Sequence, residues 1–232
     1  MKFFENVGKN KLARFAENRT LANVIQPTRE EALNHFNLKG KWRSDFFKNN
    51  NPIVLELGCG KGEYTVGMAK AFPEKNFIGI DIKGARFWFG AKEAHEKNMN
   101  NVGFLRTQLE LIECFFAQNE VDEIWITFPD PQIKYRRTKH RLTHPDFLSR
   151  YRNIMKPEGV VHLKTDSEFL HGYTLGLLQG LDCEILTAHH DIYGAPEYQP
   201  DTQYLREIKT YYEGLFSAKG KTITYIKFRI SK

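Results

Sequence analysis

Cysteine is scarce: Cys59, Cys114 and Cys183 are the only three in 232 residues, they lie far apart, and no CxxC pair occurs. That excludes a disulfide scaffold and a cysteine-ligated zinc site, and fits a reducing, cytoplasmic compartment. No apolar run approaches the ~18 residues that cross a bilayer, so no membrane partner is expected. The stretch MKFFENVGKNKLARF carries charges and asparagines where a secretory leader needs an unbroken apolar segment. Internal repeats and low-complexity tracts are missing too. What is present is ordinary globular composition, 41% hydrophobic and 27% charged, at a length that suits one domain with an appendage. A domain of this size buries about 70% of its unfolded surface and needs no covalent staple.

The charge is unevenly placed. The chain is +6 overall, yet residues 1–50, 130–156 and 219–232 carry +5, +6 and +5, so the rest is acidic. A basic field assembled from separate segments is the footprint of a polyanion.

Residues 1–50 lack a clean period. Weakly amphipathic stretches at 10–18 and 29–37 surround Pro27, and the segment reads as a basic amino-terminal arm or helical pre-segment. A boundary is expected near Asn49–Pro52, with residues 51–232 forming the main domain. From there strands and helices alternate. Strands are expected at Ile53–Leu57, Asn76–Asp81, Val102–Arg106, Ile124–Phe128, Gly159–Thr165 and Cys183–Ala188. Helical patterns follow at residues 63–72, 84–98, 109–116, from His144 with Thr143 as its cap, and 202–217. The last strand, Lys221–Ile230, alternates strictly, which predicts one buried face. The pattern is a doubly wound α/β sheet, in which ligands bind beyond the carboxyl ends of the strands.

The first strand runs into VLELGCGKG, with Gly58, Gly60 and Gly62 opening a helix. The dinucleotide pattern G-x-G-x-x-G needs glycine at 63, where this chain has Glu63. Glu56 and Glu63 flank the loop and oppose a pyrophosphate there. They suit a cationic cofactor, S-adenosylmethionine, whose adenosine the glycines let the backbone approach. Asp81, at the end of the second strand, is placed to accept from ribose hydroxyls. Phe87, Trp88 and Phe89 read mainly as helix core, and Cys59 as a small residue that fits the loop. His189, His190 and Asp191 lack a second ligand cluster, so no metal is expected.

After the fourth strand comes FPDPQIKYRRTKHRL, residues 128–142. Pro129 and Pro131 restrict the backbone around Asp130 and hold its carboxylate at the sheet edge. Lys134, Arg136, Arg137, Lys139 and Arg141 follow with no acid among them. A fixed carboxylate beside a cofactor, followed by a phosphate-binding run, is what a nucleic-acid-modifying enzyme needs.

FPDPxxKxRxxKxRL, together with LKTD at 163–166 and TYYEGLFSAKGKTI at 210–223, resembles the bacterial-type tRNA (guanine-N7-)-methyltransferases over about residues 53–230. The resemblance implies a class I S-adenosylmethionine-dependent methyltransferase fold, with a mostly parallel seven-stranded sheet whose last strand is antiparallel. It implies methyl transfer to N7 of a guanine in tRNA by a chain acting without an obligate protein subunit. By resemblance, Glu56, Asp81 and Asp130 contact the donor or reacting site, while Lys134, Asp166 and Thr210, Tyr211, Tyr212 and Glu213 contact tRNA. This chain departs from the family in three places. Gln108 stands where members usually carry Asp after the third strand, Gln132 where they carry Trp, and Arg137 and His140 exchange places. An amide at Gln108 can still bond adenine.

Three alternatives are weighed against this reading. An exocyclic-amine methyltransferase favours D/N-P-P-Y/F, which is absent. A nicotinamide dehydrogenase is disfavoured by Glu63. A non-catalytic RNA-binding protein on the same fold is favoured only by Gln108. Guanine N7 carries an in-plane lone pair and no proton, so the expected mechanism is orientation without a general base. Asp130, Asp166 or Glu213 would hold the opposite edge of the base.

Overall fold

Every residue of Ile53–Leu57 is buried, as expected of a strand covered on both faces. Among the described residues it lies near the middle of an eight-stranded sheet. The computed structural model describes residues 10–181, 183–194 and 204–230, with Tyr211 and Tyr212 described through their backbone. In chain order the strands are β1 (Val24–Ile25), β2 (Ile53–Leu57), β3 (Asn76–Ile80), β4 (Val102–Leu105), β5 (Val121–Thr127), β6 (Met155–Thr165), β7 (Glu184–His189) and β8 (Thr224–Arg229). The α-helices are α1 (Lys11–Glu17), α2 (Arg29–Asn34), α3 (Glu63–Ala71), α4 (Gly84–Glu96), α5 (Ile112–Phe115), α6 (Pro145–Ile154), α7 (Glu168–Gly180), α8 (Tyr204–Glu207) and α9 (Tyr211–Ser217).

The strand order is β1-β4-β3-β2-β5-β6-β8-β7. All pairings from β1 to β6 are parallel, and β8 runs antiparallel between β6 and β7. The seven expected strands are all present. The eighth, β1, is two residues long and pairs with β4 from the amino-terminal segment. The chain winds one way from β2 through β3 to β4 and the other way from β5 to β6, so the switch point lies between β2 and β5.

Each face of the sheet carries its own core. Ile53, Leu55 and Leu57 point into one with Trp42, Phe115, Ile126 and Leu163. Val54 points into the other with Tyr64, Phe77, Phe104 and Trp125. Trp42 is fully buried, and its indole donates to the Phe115 carbonyl at 2.9 Å. The sequence before residue 50 therefore contributes directly to the first core.

Three local expectations differ from the structure. Thr143 does not cap α6: it is buried and shares a 2.8 Å hydrogen bond with Thr174, while His144 Nδ1 accepts from the Asp146 amide. The helix expected over 202–217 is divided within the described residues into α8 and α9, because Thr210 is extended and caps α9. The last strand is buried on both faces over Thr224–Ile226, because Ile226 packs into one core and Tyr225 into the other, toward Trp125 and His162.

Candidate active site

At the carboxyl ends of β2, β3 and β5 the loops enclose a cavity of about 390 Å³. Its walls include Glu56, Gly58, Gly60, Asp81, Asp130 and Thr210, residues from four separate parts of the sequence. A second cavity of about 530 Å³ opens on another part of the sheet, among Phe72, Lys75, Glu123 and His162, and shares none of these residues.

The glycine loop is built by backbone geometry. Gly58 and Gly60 both sit at positive φ, and a β-carbon on either would project into open space. Asp81 ties this loop to β3: one carboxylate oxygen accepts from the Gly60 amide at 3.1 Å and the other from the Lys83 amide at 2.8 Å. Four lone-pair sites on the carboxylate leave room for further donors. Gly62 does not line the cavity. Its φ is 77°, and an added β-carbon would lie 2.6 Å from the Phe104 ring and 3.3 Å from Gly90. It serves the close approach of α4 to the loop, where the Gly90 amide donates to the Lys61 carbonyl.

Glu56 is buried at 5% exposure. Its carboxylate accepts from the Thr65 amide at 2.8 Å and from the hydroxyls of Thr65 and Thr127. Burial pushes its pKa up to about 7 against those hydrogen bonds, with Asp81 adding to the rise. Thr65 and Thr127 were not singled out from the sequence. The available signal was a threonine ending the otherwise apolar strand IWIT. Lys61, Lys83, Arg86 and His140 also reach the rim and were missed as site residues.

The loop after β5 is strained. Phe128 and Gln132 both have φ of 47°, in the left-handed region, at a cost of about 1–3 kcal/mol each. Two sets of bonds hold the loop there. The Phe128 amide donates to the Lys164 carbonyl at 2.8 Å, and the Arg141 guanidinium donates to the Gln132 carbonyl at 3.1 Å. Arg141, expected among the phosphate contacts, is only 5% exposed and stacks over Tyr173 at 4.3 Å. Its guanidinium cross-links the loop through the Gln132 and Ile133 carbonyls. Lys134, Arg136, Arg137 and Lys139 are exposed, and the last three lie on the 3₁₀ turn Tyr135–His140. Asp130 is exposed on the cavity wall, and its Oδ1 accepts from the Gln132 amide at 3.0 Å.

Other expected residues are placed elsewhere. Gln108 lines a neighbouring cavity of about 220 Å³, which adjoins the first through Ile82, and its side-chain oxygen lies 3.5 Å from Arg29. Asp166 is ion-paired with Lys221 at 2.6 Å. Glu213 is fully buried against Lys164 at 2.8 Å, so its carboxylate does not face the cavity. Thr210 caps α9 by accepting from the Glu213 amide. The side chains of Tyr211 and Tyr212 lie outside the described residues.

The walls thus carry carboxylates at Glu56, Glu63, Asp81 and Asp130 around an open glycine backbone. Such a donor set fits a cationic adenosine derivative, and the raised Glu56 is a buried carboxyl that a cation would return to its ionised form.

The chain is similar to known proteins in sequence and in fold. A family model described as "Putative methyltransferase" matches residues 50–226. The tRNA (guanine-N(7)-)-methyltransferase of Christiangramia forsetii is 66% identical over 223 residues, covering 96% of this chain and 98% of the relative. That of Bacteroides thetaiotaomicron is 48% identical over 225 residues, covering 97% and 87%. Among solved structures, the 16S rRNA methyltransferase KamB superposes with a TM-score of 0.60 at 12% identity, covering 83% of this chain and 92% of that one, a likeness of fold. By these relatives the chain belongs to the tRNA (guanine-N(7)-)-methyltransferase family.

Proposed function

We propose that the chain transfers a methyl group from S-adenosylmethionine to N7 of a guanine in the variable loop of tRNA. One observation carries the reading: Glu56, Asp81 and Asp130 converge on one cavity, and exposed cations follow Asp130 directly. When bound, S-adenosylmethionine supplies a methyl group on a positively charged sulfur. Gly58, Gly60 and Asp81 would hold the adenosine side, and Glu56 and Glu63 the cationic side. Gln108, in the adjoining cavity, would face adenine through its amide.

The nucleophile needs no base. The chain's task is to hold N7 in line and keep water out, and orientation alone supplies about 7–11 kcal/mol in favourable cases. Guanine presents N1–H and its exocyclic amine on the edge opposite N7, and one carboxylate accepts from both. Of the three carboxylates considered for this role, Asp130 lines the cavity, whereas Asp166 is engaged by Lys221 and Glu213 by Lys164. Asp130 Oδ1 receives the Gln132 amide, which fixes the carboxylate and leaves acceptor capacity on both oxygens. Lys134, Arg136, Arg137 and Lys139 would hold the phosphate backbone. Among the described residues no helix is long and apolar enough to cross a membrane. We place the activity in the cytoplasm and on a single chain, because donor and RNA motifs share it.

Two quantitative consequences follow. Lys134→Ala and Arg136→Ala should each weaken tRNA binding and lower the slope of log K against log salt by about 1. Titrations over a range of salt concentrations test this, and an unchanged slope contradicts phosphate contact. The Glu56 carboxyl sets the second. With its pKa near 7, donor affinity should be about tenfold weaker at pH 6 than at pH 8, because the cation must displace a proton below pH 7. Stability without donor runs the other way. A carboxyl whose folded pKa is raised favours the fold most below its unfolded value of about 4.5, and that contribution is lost as pH rises through about 7. Calorimetry at both pH values checks the affinity, and Glu56→Gln should flatten the dependence.

The function itself is tested by incubating the protein with labelled S-adenosylmethionine and an unmodified tRNA transcript. Label entering the RNA is expected. A protein that binds donor yet transfers nothing to any tRNA contradicts the reading.

A further inference from the structure

Lys164 and Glu213 form a salt bridge at 2.8 Å with both side chains at 0% exposure. The ammonium also donates to the carbonyls of Leu205, within α8, and Ile208, just after it. Glu213 also accepts from the Tyr193 hydroxyl at 2.7 Å. Lys164 therefore satisfies carbonyls left open where α8 gives way to the extended Thr210, which caps α9. Burial lowers the Lys164 pKa to about 8, with Glu213 opposing the fall. Buried ion pairs gain little stability over well-packed apolar residues, so stability alone is a poor reason for keeping one here.

The place of the pair in the fold supplies another reason. Lys164 is on β6, and its own carbonyl receives the Phe128 amide of the strained loop that carries Asp130. Its ammonium fixes the segment 205–213, from which Thr210 enters the cavity wall. In the sheet order, Asp81 after β3 stands on one side of the β2–β5 crevice and the β6 segment on the other. Donor and acceptor would thus enter from opposite sides, with Thr210 on the acceptor side.

We propose that the buried Lys164–Glu213 pair, steadied by Tyr193, is a positioning device that sets Thr210 and the 205–213 segment as the wall against which the guanine nucleotide docks. This inference rests on the tRNA methyltransferase reading. Lys164, Glu213 and Tyr193 are positioning residues, since they act through the wall without touching the reacting atoms.

The test compares wild type with Lys164→Met/Glu213→Leu and with Tyr193→Phe. The double variant leaves no lone buried charge, so it should keep its fold, as judged by circular dichroism and melting. Its KM for tRNA should rise at least tenfold, kcat at saturating tRNA should stay within about threefold, and the Kd for S-adenosylhomocysteine within about twofold. Tyr193→Phe removes one hydroxyl from an exposed ring and should raise the tRNA KM about two- to fourfold, again with donor affinity unchanged. Wild-type KM in a folded double variant, or equal losses of donor and tRNA affinity, would overturn the inference. If the double variant does not fold, Tyr193→Phe decides, and a wild-type KM there overturns it. A wild-type chain that methylates no tRNA overturns the functional reading itself, a result distinct from any of these.

Discussion

Asp130→Asn is expected to lower kcat/KM for tRNA methylation by about 10²-fold or more while donor affinity stays within a few-fold. An amide keeps the size of the side chain and one acceptor oxygen. It replaces the second acceptor by a donor, which faces the N–H groups of guanine and repels them. The base then sits askew, and a misplacement of about 1 Å is worth about 10²-fold in rate. The loop itself should survive, because the Gln132 amide can still donate to the remaining side-chain oxygen, and Phe128 and Arg141 keep their backbone bonds. Single-turnover kinetics separate the step from binding. Near wild-type turnover would remove Asp130 from the mechanism.

Gly62→Ala is expected to destabilise the fold by about 2–4 kcal/mol, combining a positive-φ penalty with overpacking. The new methyl would stand 2.6 Å from the ring of Phe104, which is fully buried and stacked on Phe87, so the ring has nowhere to move. For a chain of this size the melting temperature should fall by about 5–15 °C. Gly60→Ala makes the contrast. Its β-carbon meets nothing within 4 Å, so the change should cost only the strain of its backbone, about 1 kcal/mol, while projecting into the cavity and weakening donor binding. Equal losses of stability in the two variants would contradict the division of labour between these glycines.

The contrast between Gly60 and Gly62 also shows what sequence can convey. VLELGCGKG announces a strand, a turn and a helix, so Gly58, Gly60, Glu56 and Asp81 could be placed by local pattern alone. Whether a glycine faces a ligand or a neighbouring ring depends on Phe104 and Gly90, which local pattern does not reveal. β1 was missed because two residues have no period, and only its pairing with β4 makes them a strand. Charge was legible as composition but not as burial. Arg141 looked like its neighbours in the basic run, yet its guanidinium lies between Tyr173 and the carbonyl of Gln132. Glu213 looked like a ligand-facing acid, yet its partner Lys164 is 49 residues away, on a strand whose local pattern does not point to Glu213. These reversals share a cause: long charged side chains follow tertiary contacts that their own segment does not encode.

The most direct test of the central account is the position of the methyl group. tRNA transcript methylated by the purified protein is treated with borohydride and aniline, which break RNA at 7-methylguanosine. A single cleavage in the variable loop, lost with Asp130→Asn, is the predicted result. Methylated tRNA that resists cleavage would place the methyl on another atom and contradict the account.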